Sequence, residues 1–88
     1  MVDREKRVFF SVHARAKMSD RGASEEEVVE AIKEGSFEPA RKARLLFRKN
    51  FSFGKSWRGK RYSVKQVAPV IAEEKDKLIV ITVYVYYF

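Results

Sequence analysis

Cysteine is absent from this 88-residue chain, histidine occurs once, at His13, and the only side-chain amides are Asn50 and Gln66. Without cysteine there is no disulfide framework and no thiolate zinc site. A single imidazole leaves only carboxylates for a metal, so no cofactor is expected. No apolar run reaches the roughly 20 residues of a membrane-spanning helix, and Met1–Arg7 is already charged, which argues against a signal peptide. A cytoplasmic protein is expected. Few amides beside abundant Lys, Arg and Glu hint at a thermophilic source. The most informative absence is of acids: Arg41 to Lys65 holds ten lysines and arginines and no aspartate or glutamate, in a chain of net charge +7. Such a patch repels itself, and a polyanion explains it best, RNA ahead of DNA. The plainer reading is a basic surface that only confers solubility.

At this length the chain is expected to be one domain, residues 1–88, burying roughly 60% of its unfolded surface. Val8–Val12 reads as a short strand, and Ser11 can cap a helix over about His13–Asp20 that Arg21-Gly22 ends. Ser24 and Glu27 form a capping box for a second helix, Glu25–Glu34, with Val28, Ala31 and Ile32 at helical spacing. Gly35 stops it.

The remainder reads as three strands. From Arg44 to Phe53 the apolar residues Leu45, Phe47, Phe51 and Phe53 alternate with Arg48, Asn50 and Ser52, Lys49 interrupting the apolar set. Arg61–Glu73 carries Pro69, which predicts a bulge or an edge. After a turn at Glu74–Lys77, Leu78–Phe88 is a nearly continuous apolar strand, expected at the centre of the sheet because an uninterrupted apolar edge invites aggregation. Strict alternation would point Ile79, Ile81, Val83 and Val85 at the helices and Thr82, Tyr84 and Tyr86 away from them.

These patterns nominate the working residues. Arg48, Arg61, Lys65, Tyr84 and Tyr86 are candidate catalytic groups on the face away from the helices, although the tyrosines could equally fill a second small core. Arg41, Lys42, Arg44, Lys55, Trp57, Arg58 and Lys60 are candidate nucleic-acid contacts. Four of those lie in Gly54–Arg61, expected to be a mobile loop in which Trp57 either stacks on bases or folds back onto the sheet. His13 titrates near neutrality and is the obvious general base by chemistry. It reads as readily as a helix-start residue hydrogen-bonded to the sheet, with Arg21 bracing the turn between helices.

His13-Ala14, Met18, Arg21-Gly22, Ser24, Val28 and the closing Ile79–Tyr84 strand resemble a small domain-of-unknown-function family grouped with the RelE/ParE-like plasmid toxins. The resemblance implies an α+β, RelE-like fold: two N-terminal helices on one face of a curved, mainly antiparallel four-stranded sheet, in the order β-α-α-β-β-β. Many members of that superfamily are ribonucleases that cleave messenger RNA, often at the ribosome, and are silenced by an antitoxin; others inhibit gyrase or do neither. The expected function is therefore RNA binding, with a toxin-like, metal-independent endoribonuclease foremost. RNA attacks itself through its 2′-hydroxyl, so the protein need only align, deprotonate and stabilise charge. A non-catalytic RNA- or ribosome-binding module, or a basic face that docks an acidic, antitoxin-like protein, are the alternatives.

Overall fold

The computed structural model describes all of Met1–Phe88. Five strands and two helices follow one another as β1 (Arg7–Phe10), α1 (Val12–Arg21), α2 (Glu25–Glu34), β2 (Ser36–Ala40), β3 (Arg44–Trp57), β4 (Lys60–Glu73) and β5 (Lys77–Tyr87). The sheet order is β1-β5-β4-β3-β2, with β1 parallel to β5 and every other pair antiparallel. The α+β class and the helix boundaries follow from the caps. Ser11 accepts from the Ala14 N–H, and Ser24 and Glu27 bond reciprocally. Both helices cover one face of the sheet. Their Ala14, Met18, Val28 and Ile32 meet Phe47, Val67, Ile71, Leu78, Val80 and Val83 in a core closed to solvent. No helix is long and apolar enough to cross a membrane.

The sheet has five strands, not four. Ser36–Ala40 lacks β-branched residues and contains Pro39, which hides its strand character in the sequence. It pairs at the edge of the sheet, where a missing donor is tolerated, and Phe37 packs on Phe47 with ring centroids 5.3 Å apart. Gly35 ends α2 with φ −75°, an ordinary conformation, so its role is close approach: a Cβ there would collide with the carbonyls of Ala31 and Arg48.

Strand β5 departs most from strict alternation. Val70 pairs with Thr82 but Ile71 pairs with Val80, so Ile81 is an extra residue, a β-bulge. The bulge inverts the side-chain faces on its N-terminal side. Leu78 and Val80, rather than Ile79 and Ile81, lie in the core, followed by Val83 beyond the bulge. The bulge also anchors α1, since the Val80 carbonyl accepts from the Ser11 N–H at 3.1 Å and the Ile81 carbonyl from the Ser11 hydroxyl at 3.1 Å. β5 is central only as far as Val80, where β1 ends. Beyond it the strand is an edge, guarded by α1: Arg21 donates to the Val83 carbonyl at 2.8 Å and lies over the Tyr84 ring at 5.2 Å. Arg21 thus ties the end of α1 to the β5 edge, where the sequence suggested that it braces the turn between the helices.

Gly54–Arg61 is no mobile loop. Strands β3 and β4 extend through it to a tight turn at Arg58-Gly59, both with positive φ, the combination of a two-residue hairpin. Trp57 folds back and stacks on Tyr87 (5.0 Å, 16° between planes), with Phe53 and Tyr62 packed around the same phenol. The pair sits on Gly22, at φ +83°, where a Cβ would come within 2.7 Å of the Tyr87 oxygen and 2.9 Å of Trp57. Tyr87 donates to the Arg21 carbonyl at 2.7 Å.

Lys65 belongs to the same seam. Its side chain is 9% exposed, and its ammonium contacts Glu27 at 2.8 Å and donates to the Gly22 carbonyl at 2.5 Å, tying β4 to the start of α2. Glu27→Ala should therefore cost about 3 kcal/mol, because it removes a helix cap and strands a buried cation. Lys65→Met, which deletes the cation itself, should cost only about 1 kcal/mol. Urea denaturation of both variants checks the asymmetry. Burial, reinforced by the Glu27 charge and opposed by Arg58, raises the Tyr87 pKa above its usual value near 10. Folding then favours the protonated phenol, so its contribution is complete below about pH 10 and lost as pH rises through the folded value. The melting temperature of the parent should accordingly fall more steeply as pH rises above about 10 than that of Tyr87→Phe, measured side by side.

Candidate nucleic-acid interface

The sheet face opposite the helices has no layer over it. Across it the pairings lay out rows: Thr82, Val70 and Leu46; Tyr84, Ala68 and Arg48; Tyr86, Gln66 and Asn50; Phe88, Val64 and Ser52. Tyr84, Tyr86 and Phe88 are 42%, 47% and 57% exposed, so they do not fill a second core. Thr82, Tyr84 and Tyr86 take the face that alternation predicted, because the bulge lies before them.

The basic residues divide by partner. Arg48 donates through Nη2 to Glu38 at 2.9 Å, an acid that the β2–β3 hairpin brings back against β3. Lys49 lies 3.4 Å from Glu30 and 3.5 Å from Glu34 of α2. Lys65 is paired with Glu27. Folding therefore neutralises three of the ten cations with acids from outside the window. Arg41, Lys42, Arg44, Lys55, Arg58, Lys60 and Arg61 have no carboxylate partner.

These seven form two clusters at opposite ends of β3, about 36 Å apart at 3.3 Å per residue between Arg44 and Lys55. At one end Arg41, Lys42 and Arg44 rim a cleft of about 420 Å³ whose floor is Leu46, Val70, Ile81 and Thr82 and whose far wall is Tyr84. No acid lines it. The turn that carries these cations is strained: Lys42 and Ala43 hold φ of 61° and 58°, left-handed values costing roughly 1–2 kcal/mol per residue outside glycine. At the other end Lys55, Arg58, Lys60 and Arg61 surround the hairpin tip. Arg58 is partly committed, donating to the Asp20 carbonyl at 2.6 Å while lying over Trp57 at 5.1 Å.

The candidate catalytic set is not assembled. Tyr84 and Tyr86 share the open face with Arg48, whose guanidinium is held by Glu38. Lys65 points to the helices because its odd position shares parity with the core residues Val67 and Ile71. Arg61 is exposed near the hairpin tip. His13 is exposed in the first turn of α1 and its ring makes no hydrogen bond, so neither bracing the sheet nor serving the open face falls to it. Trp57 is held by Tyr87 and is not free to stack on a base. No group of three or more His, Asp or Glu side chains is gathered to hold a metal ion. Sequence reading missed Phe88, which only continues the Thr82–Tyr84–Tyr86 alternation, and Gln66, whose place beside Tyr86 depends on strand register.

Because His13 is exposed and its ring makes no hydrogen bond, His13→Ala should change stability by less than about 0.5 kcal/mol, whereas Arg21→Ala, which uncovers the Val83 carbonyl and the β5 edge, should cost about 1–3 kcal/mol. Paired thermal melts check both.

The DUF4258 family, a domain of unknown function, matches residues 10–85, from the last residue of β1 to near the end of β5. No curated protein and no solved structure matches the chain. With the match running through both helices and nearly all of the sheet, the chain belongs to the DUF4258 family.

Proposed function

We propose that this domain binds single-stranded RNA along the open face of its sheet. The observation that carries the reading is the arrangement of charge: seven cations without carboxylate partners lie at the two ends of an uncovered face bearing exposed aromatic rings. Cations at the ends meet phosphates, and rings between them stack on unpaired bases. The order of elements, two helices followed by an antiparallel meander, supports the RelE-like relationship, and a cytoplasmic messenger RNA, free or on a ribosome, is the partner it suggests. The domain acts as a binding module because the candidate catalytic residues Arg48, Arg61, Lys65, Tyr84, Tyr86 and His13 are not gathered at one site.

One feature favours a second, catalytic reading. Around the 420 Å³ cleft the Tyr84 ring stands with Arg41, Lys42 and Arg44, a phenol beside unpaired cations. A tyrosine and arginines suffice for attack by a 2′-hydroxyl on its own phosphate. Incubation with free messenger RNA in EDTA, and in parallel with translating ribosomes in magnesium, separates the readings. Intact RNA supports the binding module; products ending in a 2′,3′-cyclic phosphate, lost in Tyr84→Phe, support the ribonuclease.

For binding itself, log affinity for a single-stranded RNA should fall with log salt at about −0.7 per phosphate engaged. Replacing Arg41, Lys42 and Arg44 by alanine should make that slope shallower by about 2. Lys65→Met should leave it unchanged, since Glu27 already neutralises Lys65. Fluorescence anisotropy at four salt concentrations measures all three slopes, and a slope indifferent to the triple substitution would remove the cleft from the interface.

A further inference from the structure

Tyr84, Tyr86 and Phe88 occupy alternate positions on one strand and one face, so their rings repeat at about 6.7 Å along β5. The row begins beside the Arg41–Arg44 cleft, where Thr82 pairs with Val70, and ends where Phe88 pairs with Val64, towards the Lys60–Arg61 cluster. It lies between the two basic ends. The rows behind the three rings differ. Behind Tyr84 lies Ala68, which offers no polar side-chain atom, and behind Phe88 lies Val64, equally apolar. Of the residues paired directly with the three rings only that of Tyr86 is polar: Gln66, whose Nε2 donates to Asn50 Oδ1 at 2.9 Å across the next strand. These are the only two side-chain amides in the chain, and they stand side by side at the middle rung.

That hydrogen bond uses one amide hydrogen of Gln66 and leaves its other N–H and its carbonyl oxygen available as an adjacent donor and acceptor. Adenine presents the complementary pair, the N6 amine and N7, and Asn or Gln bonds to it in a bidentate manner. The Asn50 contact fixes the Gln66 rotamer, so the amide edge is set before any base arrives.

We infer that β5 is a three-rung base ladder, one nucleotide each on Tyr84, Tyr86 and Phe88, and that Gln66, held by Asn50, selects adenine at the middle rung. This rests on the single-stranded RNA reading above and adds to it a site size, a register and a specificity-determining residue. The outer rungs stack without discriminating, since the residues paired directly with them, Ala68 and Val64, are apolar.

The test uses the full chain and the trinucleotides UUU, AUU, UAU and UUA, titrated by NMR in low salt. UAU should bind about fivefold to tenfold tighter than AUU and UUA, which should differ from UUU by less than about twofold. Gln66→Leu keeps the bulk of the side chain and should abolish the UAU advantage while leaving UUU affinity within about twofold of the parent. Asn50→Ala, a second variant on the solvent face, should reduce the same advantage by freeing the Gln66 rotamer. Tyr86→Ala should weaken all four by about fivefold or more, through loss of a stacking ring. If the four trinucleotides bind the parent equally, or Gln66→Leu retains the preference, the ladder is overturned while RNA binding stands. If none binds and longer single strands also fail, the RNA reading falls with it.

Discussion

One extra residue in β5 determines what each face of the sheet is for. With Ile81 inserted between Val80 and Thr82, Leu78 and Val80 enter the core before the bulge and Val83 enters it after. Without the insertion a continuous alternation would have to expose one of those sets. The same bulge offers the Val80 and Ile81 carbonyls to Ser11, the cap of α1, so the strand that presents Tyr84, Tyr86 and Phe88 is also the strand on which the first helix is seated. Packing and presentation share one backbone irregularity.

The helical third was legible because its signals are local. Ser11, Ser24 and Glu27 act on backbone groups within three residues, and the helices begin where those caps require. The sheet was legible only where alternation ran undisturbed. From Leu45 to Phe53 parity held, and Lys49 proved to face the helices for a reason: Glu30 and Glu34 await it there. At β5 a single insertion inverted two residues, which no local pattern announces. Lys65 was misplaced for a related reason, since charge suggested the solvent face while parity with Val67 and Ile71 put it beside Glu27. The acid-free window was real in sequence, yet three of its members acquired acids from Glu27, Glu38 and the C-terminal half of α2, partners that only tertiary structure brings.

This redistribution sharpens the functional argument. Lysines and arginines that found carboxylates serve the fold: Lys65 joins β4 to α2, Lys49 joins β3 to α2, and Arg48 joins β3 to β2. Those that remain free crowd two turns, each with a non-glycine residue in a left-handed conformation that a stability-driven sequence would relieve with glycine. Unpaired charge on a strained turn beside an apolar cleft of nucleotide dimensions is poorly explained by solubility alone. The aromatic residues divide in the same way. Trp57, Tyr62 and Tyr87 lock the hairpin tip over Gly22, while Tyr84, Tyr86 and Phe88 keep two-fifths or more of their surface exposed.

The central claim is that the uncovered sheet face, not the helical layer, receives RNA. Amide and side-chain NMR of the labelled protein titrated with a single-stranded RNA tests it directly. The account predicts shifts concentrated at Arg41–Leu46, Lys55–Arg61, Gln66, Thr82, Tyr84, Tyr86 and Phe88, with α2 residues Glu25–Glu34 unmoved. Shifts confined to α1 and α2, or none at any residue of the open face, would contradict it.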